Sequence, residues 1–477
     1  MFSVRYFSRF LITVLILSVT LTLYFCQRGG GMKEKVIKLE KGPHLFVDDF
    51  LIAKQSFLNR TVNNPEKYPE PVVTGGKDGD QNFQPYLTVL RDENTGRFRM
   101  WYNTPEHRSQ SHIGYIESED GIRWIRPHRV LEDPDTIKFG VSVVDRGSDF
   151  EYPDQRYVLA YYFKNGLRLA SSANGLNWTP LADTTVLIHN HDISSLHWDP
   201  IRQRYLAIIS IWRRNEVWND NERHPYQSVS PDLFHWKEPW QIISAKIGAP
   251  IEVGETQFYA ISGVIFRGNL MIGLVKILRD DINATPGKTG KEMGDMDRKA
   301  AGLGYTVLAW SRDGETWQRD HEPFIRNNPV PGSWDHAMAW GDEQIIVADQ
   351  TYIYYGGYAR GHKVNRFEER QIGLARMPRD RYVAREADLN WGHLLTKPLI
   401  LNASSITLNA RVVGNLKVQI VDLNGKPIEG FDWINIAGNS VEHPVNWNGD
   451  LNSLGQKPVC LEFHLRNAQL FGFDLYQ

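Results

Sequence analysis

The stretch Ser230-Pro231-Asp232-Leu233-Phe234-His235-Trp236 has three relatives elsewhere in the chain, and each of the four follows a short apolar run. The relatives are Ser118-Glu-Asp-Gly-Ile-Arg-Trp124, Ser172-Ala-Asn-Gly-Leu-Asn-Trp178 and Ser311-Arg-Asp-Gly-Glu-Thr-Trp317. An Asp or Asn side chain accepts backbone N–H bonds in a tight turn, and Gly tolerates a left-handed backbone. The Trp then begins the next strand and packs on a neighbouring sheet. Four such corners predict repeated β-sheet units.

The residues between Asp192 and Trp236 show one unit in full. An inner strand begins at Asp192, a turn follows at Asp199-Pro200, and two further apolar strands precede the corner at 230–236. The Trp of the corner opens a fourth strand. Four strands per unit, repeated around an axis, is the pattern of a β-propeller blade.

Counting these units predicts five blades. Their inner strands are expected to begin near Asn82, Phe139, Asp192, Glu255 and Asp335. The fifth corner, at 379–382, is degenerate, and the polar segment 279–299 reads as a surface loop. The apolar run 45–52 precedes the first blade and is expected to complete the ring, as closing strand or as axial wall.

Residues 401–477 change character, with short alternating strands and tight turns that predict a small β-sandwich. The predicted fold class is therefore all-β: a five-bladed β-propeller over residues 41–400, followed by a β-sandwich over 401–477. We expect the sandwich to pack on the propeller in preference to binding sugar independently.

The N-terminal residues 1–31 have the features of an export signal. Arg5 and Arg9 precede an apolar run at 10–25, which is followed by Cys26 and a Gly-rich spacer. The segment predicts either a signal peptide with a lipidated Cys26 or an uncleaved apolar anchor. We expect an exported, membrane-tethered monomer of a bacterial periplasm or cell surface. Cys460 is then the only cysteine of the mature chain, so no intramolecular disulfide is expected.

Composition narrows the class of partner. The 477 residues carry a net charge of -2, with 42% hydrophobic and 23% charged residues, which gives no indication of a nucleic-acid partner. Trp 15, Tyr 20 and Phe 21 make the chain rich in aromatic residues, a composition that suits both sheet packing and the stacking of sugar rings. No zinc motif of the His-Glu-x-x-His type and no phosphate-binding glycine loop occurs in the sequence.

The first residues of the inner strands of a propeller surround an axial funnel, which is the usual ligand site of this fold. In this chain that ring is polar and acidic, and its predicted members are Asp80, Asn82, His191, Asp192, Glu255, Gln257, Asp335 and His336. Trp334 and Tyr355, beside the fifth blade, can supply a stacking platform for a sugar. Asp48 and Asp49 lie in the otherwise apolar run 45–52, where a buried carboxylate is costly unless it is paired or faces a polar pocket.

The corner at 230–236 resembles the blade signature of the five-bladed β-propeller glycoside hydrolases, the superfamily of invertases, levansucrases, arabinanases and β-xylosidases. The inner strand Asp192-Ile-Ser-Ser-Leu-His-Trp-Asp199, followed by Arg204-Tyr-Leu206, is similar to the strand that bears an axial acid in the arabinanase-like members. The resemblance covers roughly residues 42–400. It implies hydrolysis of a glycosidic bond in an oligosaccharide or polysaccharide, for which we expect a plant or algal source.

Glycoside hydrolysis needs two carboxyl groups across one bond. By the resemblance, Glu255 corresponds to the general acid and Asp192 to the axial Asp that tunes it. Asp48 or Asp49 corresponds to the base or nucleophile, and Asp335 is a fourth candidate for any of these roles. The sequence lacks the Asn-Asp-Pro-Asn-Gly of typical invertases, which counts against a sucrose or fructan substrate and leaves inversion and retention open.

Each candidate has a structural alternative. Asp192 can cap a turn, Glu255 can be a surface carboxylate, and Asp335-His336 can simply begin a blade. Asp48 and Asp49 cannot both point inward on an extended strand. The whole propeller can also be a carbohydrate-binding protein without catalysis, or a structural propeller with a closed axis. No cofactor is required by the resemblance, which allows an axial calcium or sodium ion.

Overall fold

The computed structural model describes residues 35–75, 84–107, 110–125, 129–192, 194–215, 220–244, 254, 256–365 and 368–477. The strands of the N-terminal part are β1 (Ile37–Leu39), β2 (Gly42–Leu45), β3 (Ile52–Ser56), β4 (Asn59–Val62) and β5 (Glu66–Lys67). Residues 1–34, which include the predicted export segment and Cys26, lie outside the described residues. Within the described part of the chain, no helix is long and apolar enough to cross a membrane.

Five antiparallel sheets form the blades of a propeller. Blade 1 contains β6 (Gln84–Arg91), β7 (Phe98–His107), β8 (Gln110–Ser118) and β9 (Arg129–Val130). Blade 2 contains β10 (Phe139–Asp145), β11 (Tyr157–Tyr162), β12 (Gly166–Ser172), β13 (Thr179–Pro180) and β14 (Leu187–Ile188). Blade 3 contains β15 (Ser194–Asp199), β16 (Arg204–Asn215), β17 (Asp220–Ser230) and β18 (Trp240–Gln241). Blade 4 contains β19 (Thr256–Arg267), β20 (Leu270–Arg279), β21 (Leu303–Ser311) and β22 (Gln318–Arg319). Blade 5 contains β23 (Met338–Val347), β24 (Gln350–Tyr358) and β25 (Arg370–Pro378).

The inner strands of the five blades form a closed ring. Strand β6 lies beside β10, β10 beside β15, β15 beside β19, β19 beside β23, and β23 again beside β6. The remaining strands are β26 (Val383–Ala387), β27 (Gly392–Thr396), β28 (Leu399–Leu401), β29 (Ser405–Val421), β30 (Ile434–Pro444) and β31 (Cys460–Tyr476). Short 3-10 turns occur at Pro153–Gln155, Lys291–Met293 and Leu451–Leu454. The predicted all-β class, with a five-bladed propeller followed by a β-sandwich, is confirmed.

The repeated corners join the third and fourth strands of blades 1 to 4 through the same local hydrogen bonds. In blade 1, Ser118 Oγ accepts the backbone N–H of Gly121 at 2.9 Å, and Asp120 Oδ1 accepts those of Ile122 and Arg123, each at 2.8 Å. Gly121 has φ 73°, and in blade 3 the buried Leu233 adopts the same left-handed conformation with φ 78°. The corner is thus dictated by short-range hydrogen bonding, which is why its sequence could be recognised four times.

Closure of the ring differs from the expectation. The fourth strand of blade 5 is β5, in which Glu66 and Lys67 pair with Arg376 and Ala375 of β25. The run 45–52 is neither closing strand nor axial wall, because β2 pairs with β31 and β3 pairs with β27 in the sandwich. The first strands of the chain therefore belong to the second domain.

Both ends of the propeller sequence contribute to the sandwich, so its boundaries also differ from the predicted 41–400 and 401–477. Strands β4 and β26 pair with each other, and β26 pairs in turn with β31. The 17-residue strand β31 is long enough to pair with β2, β26, β27 and β29. Its apolar side chains join those of β29 in one core, which includes Leu408, Phe463 and Phe473.

Candidate active site

Side chains from all five inner strands line a narrow channel of about 30 Å³ on the propeller axis. The lining includes Tyr86 from β6, Ser142 from β10, Ser195 from β15, Ser262 from β19 and Glu343 from β23. Because every blade contributes to this channel, the channel marks the axis of the propeller. The beginnings of the inner strands define its mouth, where the sequence predicted a ligand site.

A larger cleft of about 590 Å³ lies where blades 3 and 4 meet. Its walls come from the extended hairpin of β16 and β17, the beginning of β19, the end of β20, and the insertion between β20 and β21. The residues that line the cleft include Trp212, Arg223, Gln257, Asp280, Arg298 and Lys363. The polar insertion that the sequence indicated as a surface loop therefore forms one wall of the cleft.

His191 and Asp192 are in close contact beside this cleft. His191 Nε2 lies 2.9 Å from Asp192 Oδ1, and His191 Nδ1 lies 2.9 Å from Ser210 Oγ. The imidazole also packs on the indole of Trp212, with ring centroids 4.4 Å apart. Burial lowers the pKa of His191 below its usual value, against the opposing effect of Asp192. The lowered pKa of His191 favours a neutral imidazole in contact with the Asp192 carboxylate.

Asp280 is held on the opposite side of the cleft by two donors. Arg298 donates to Asp280 Oδ1 at 2.7 Å, and Gln257 Nε2 donates to Oδ2 at 2.7 Å. The Gln257 carbonyl in turn accepts a hydrogen bond from Arg223. Each oxygen of a carboxylate can accept more than one hydrogen bond. Asp280 can therefore hold these two donors and still accept further hydrogen bonds.

Aromatic and cationic groups connect the two sides. The Arg223 guanidinium lies 4.6 Å from the ring of Tyr259 and 5.4 Å from that of Trp212. The Tyr259 hydroxyl is 3.1 Å from His362 Nε2. Burial, together with the charges of Arg223 and other nearby cations, holds the pKa of His362 well below its usual value. These groups form a preorganised polar wall around a space of sugar size.

Several predicted residues lie in this region, and others do not. Gln257 lines the cleft at the border of blades 3 and 4, and His191, with Asp192 beside it, packs on the cleft-lining Trp212. Asp80, Asn82 and Glu255 lie outside the described residues, so their roles stay predictions.

Asp335 and its neighbours lie at the outer side of blade 5 instead of the axis. Asp335 forms a salt bridge with Lys67 of the closing strand and accepts a hydrogen bond from the Tyr355 hydroxyl at 3.1 Å. Trp334 stacks on Tyr355 with centroids 5.5 Å apart, and its Nε1 donates to the Pro69 carbonyl at 3.0 Å. The two rings therefore fasten the closing strand and do not form a platform at the cleft.

His336 also has structural partners. Its Nδ1 is 2.7 Å from the Asn328 carbonyl and its Nε2 is 2.9 Å from Thr285 Oγ1. The inner strand of blade 5 begins at Met338. The predicted start at Asp335 therefore lies in the connection that leads to the strand.

Asp48 and Asp49 lie between β2 and β3, at the junction of blade 4 with the sandwich. Asp48 Oδ1 accepts from Arg312 at 2.8 Å and from the Phe50 backbone N–H at 3.2 Å. Asp49 lies 2.8 Å from Arg385, and its side chain is 73% exposed. Neither carboxylate lines the axial channel or the cleft, because the segment that carries them pairs with sandwich strands.

The axial channel contains charged residues that the sequence reading missed. Lys276 Nζ of β20 lies 2.5 Å from Asp342 Oδ1 of β23, and both side chains are buried. Burial raises the pKa of Asp342 to about 6, against the effect of Lys276. Burial, with a contribution from Asp342, raises the pKa of Glu343 to about 8. The sequence feature that could have identified them is the pair of acids, Asp342 and Glu343, within the largely apolar strand β23. The same feature singled out Asp48 and Asp49.

This set of channel residues does not fit the axial calcium or sodium ion that the resemblance allows. The ammonium of Lys276 already neutralises Asp342, and Glu343 with its raised pKa is protonated at neutral pH. A metal ion would have to displace a buried ammonium to gain an anionic ligand.

Comparison with known proteins gives structural likeness only. Neither a protein-family model nor a curated protein matches the sequence. A glycosyl hydrolase from Bacteroides ovatus is 15% identical over 73% of this chain and 97% of its own, with a TM-score of 0.42. The GH32 β-fructofuranosidase of Bombyx mori is 11% identical over 87% of this chain and 95% of its own, with a TM-score of 0.40.

A β-1,2-mannobiose phosphorylase from Listeria innocua is 11% identical over 66% of this chain and 97% of its own, with a TM-score of 0.43. The names of these three proteins describe enzymes that act on glycosides. The fold of this chain is defined by its strand topology.

Proposed function

We propose that this protein is a glycoside hydrolase whose active site is the cleft between blades 3 and 4, beside the mouth of the axial channel. The observation that carries the proposal is the His191–Asp192 pair, which lies against the cleft-lining Trp212 and close to the beginning of the inner strands. Asp192 supplies one of the two carboxyl groups that glycoside hydrolysis needs, and the aromatic ring and the hydrogen-bond donors of the cleft suit the binding of a sugar.

In this proposal, Asp192 takes the role of base or nucleophile that the resemblance gave to Asp48 or Asp49, because those two carboxylates lie outside the cleft. Its neighbour His191, whose Nε2 lies 2.9 Å from Asp192 Oδ1, packs on Trp212 and places the carboxylate beside the cleft. Glu255 supplies the second carboxyl group as general acid, as the resemblance implies. Trp212, whose side chain is partly exposed, supports a sugar ring, and Asp280 accepts hydrogen bonds from sugar hydroxyls.

The charge of the lining favours an acidic sugar. Four cationic side chains, those of Arg223, Arg298, Lys299 and Lys363, face the cleft together with two carboxylates, those of Asp280 and Asp281. A uronic acid or sulfated sugar, as found in plant and algal polysaccharides, would complement this excess of positive charge. The substrate panel should therefore compare acidic polysaccharides with neutral ones of similar linkage.

The test is release of reducing ends from this panel by the wild type and by Asp192→Asn and Glu255→Gln. We expect each substitution to lower the rate by about 100-fold or more, because each removes a carboxyl group of the reaction. Asp49→Asn is the matched control, since it makes the same chemical change at an exposed carboxylate outside the cleft. Binding of a glycan without cleavage, unaffected by Glu255→Gln, would exclude the enzyme and leave a carbohydrate-binding propeller.

A further inference from the structure

A second cluster of ligand-type side chains lies on the sandwich, well separated in sequence from the cleft. His393 of β27 is the cross-strand partner of His464 of β31, and Glu462 lies two residues before His464 on the same face. The residues adjacent to them along the two strands, Leu394, Phe463 and Leu465, face the sandwich core. The three polar side chains therefore project together from the side of the sheet that faces away from that core.

The distances within this cluster suit a shared ion. His393 Nε2 lies 2.8 Å and His464 Nε2 lies 3.8 Å from the same oxygen, Glu462 Oε1. One ligand atom from each of the three residues lies within 4.8 Å of the others. Tetrahedral zinc with bonds of about 2.05 Å separates its ligand atoms by about 3.3 Å, a value between the two distances. Small rotations of the two imidazoles would bring all three atoms onto one ion.

We propose that His393, Glu462 and His464 form a binding site for a divalent transition-metal ion of the zinc type. Two imidazole nitrogens and one carboxylate oxygen are a ligand set that zinc prefers, and three protein ligands leave a fourth position for water. The site is new in kind for this chain, because it lies on the sandwich and takes no part in the reaction proposed for the cleft.

The surroundings orient the ligands as a metal site requires. The second oxygen of Glu462 accepts a hydrogen bond from Gln419 Nε2 at 2.6 Å, which fixes the carboxylate from the neighbouring strand β29. Trp433 and Trp391 both pack against His464, with ring centroids 4.6 Å and 6.4 Å from that of the imidazole. These rings restrict the imidazole while the ligand side chains remain partly exposed, so an ion can enter from solvent.

Two cations lie near the cluster: Arg466, whose guanidinium is 5.6 Å from the ring centre of Trp391, and Lys417, which is the cross-strand partner of His464. Its ammonium lies 4.3 Å from the ring centre of Trp433 and 5.9 Å from that of Trp391. A cation–π position over these rings holds the ammonium against the indoles. Replacement of Lys417 with Met should therefore strengthen metal binding by removing the like charge.

The experiment is titration of the metal-free full-length protein with ZnCl₂ by calorimetry, followed by Co²⁺ substitution and visible absorption. We expect one zinc ion per chain with a Kd of about 10 μM or tighter, and cobalt bands of the intensity that tetrahedral coordination gives. His393→Ala and His464→Ala should each weaken binding by at least about tenfold, and Gln419→Leu by about tenfold. Lys417→Met should tighten it.

His235→Ala is the matched control, because it removes an exposed histidine on a propeller corner. Circular dichroism of each variant, and Glu462→Gln as a conservative change, separate loss of ligands from loss of folding. Saturable binding that the control keeps and the ligand variants lose supports the site. No binding at 100 μM zinc, or binding that all variants share, overturns it.

Discussion

Glu343→Gln tests the electrostatics of the axial channel, because it replaces a carboxyl group by a neutral group of the same shape. The pKa of Glu343 is raised from 4.5 to about 8 by burial, with Asp342 adding to the effect. A raised pKa means that the folded state holds a proton that the unfolded state releases. Stability contributed by this proton is fully present below about pH 4.5 and is lost as the pH rises toward 8.

The size of the effect follows from the same two values. Between pH 4.5 and 7 the unfolded carboxyl loses its proton while the folded one keeps it, which costs about 1.4 kcal/mol per pH unit. The wild type therefore loses on the order of 3 kcal/mol of stability between pH 4.5 and pH 7 through this one group. The Gln variant cannot ionise, so at pH 7 it should be more stable than the wild type by about that amount.

The assay is urea unfolding followed by tryptophan fluorescence at pH 4.5, 6, 7 and 8. The difference in stability between Glu343→Gln and wild type should be close to zero at pH 4.5 and should grow with pH. Glu368→Gln is a control for a general effect of removing one negative charge, since Glu368 lies in an exposed loop. A difference that is constant across this pH range would refute the reasoning, because it would mean that the pKa of Glu343 is not raised in the folded protein.

Two further predictions concern the closure of the ring and the corner motif. Lys67→Met leaves the buried carboxylate of Asp335 with only a tyrosine hydroxyl, so it should lower the free energy of unfolding by about 3 kcal/mol. Addition of Asp335→Asn should recover much of this loss in urea melts, and a single variant as stable as wild type would show that the ion pair is dispensable. Asp313→Ala removes the acceptor of the Glu315 and Thr316 backbone N–H groups, held at 2.8 and 2.7 Å, and should cost about 1–2 kcal/mol. Asp313→Asn keeps the acceptor oxygen and should stay within about 0.5 kcal/mol of wild type, whereas an equal loss in both variants would point to charge and not to the turn.

The blades could be predicted from sequence because their signal is local. Each corner is made by hydrogen bonds between residues two or three positions apart, as in Ser118 to Gly121 and Asp120 to Arg123. The residue types needed for those bonds are visible in a window of seven residues. The strands on either side of a corner then follow from their alternation of apolar and polar side chains.

Ring closure and the sandwich could not be predicted in this way, because both depend on pairing between distant parts of the chain. A closing strand of two residues, Glu66 and Lys67, has no periodicity to detect. The pairing of β2 with β31 joins residues near position 44 to residues near position 473, and no local pattern encodes that choice. The same limit applies to the cleft, whose Asp280 and Arg298 come from an insertion that carries no strand signal.

The carboxylates of the run 45–52 show how a sound physical rule led to the wrong location. A carboxylate in an apolar segment must be paired or face a polar pocket, and the pocket was the expectation for Asp48 or Asp49. The structure satisfies the rule by pairing instead: Asp48 binds Arg312 of blade 4. Two further ion pairs, Arg60 with Asp320 and Arg267 with Asp380, join the same blade to the sandwich and to the segment that leads into it.

Arg267 ends the inner strand β19, whereas Gln257 near its beginning lines the cleft. The ion pairs of the junction therefore lie at the opposite end of this strand from the proposed active site. Substitutions at the junction, such as Asp48→Asn, should consequently act on stability and leave the affinity of the cleft for its ligand unchanged. The acids that matter for chemistry should be sought at the beginnings of the inner strands, where Asp192 lies, and those at their far ends hold the two domains together.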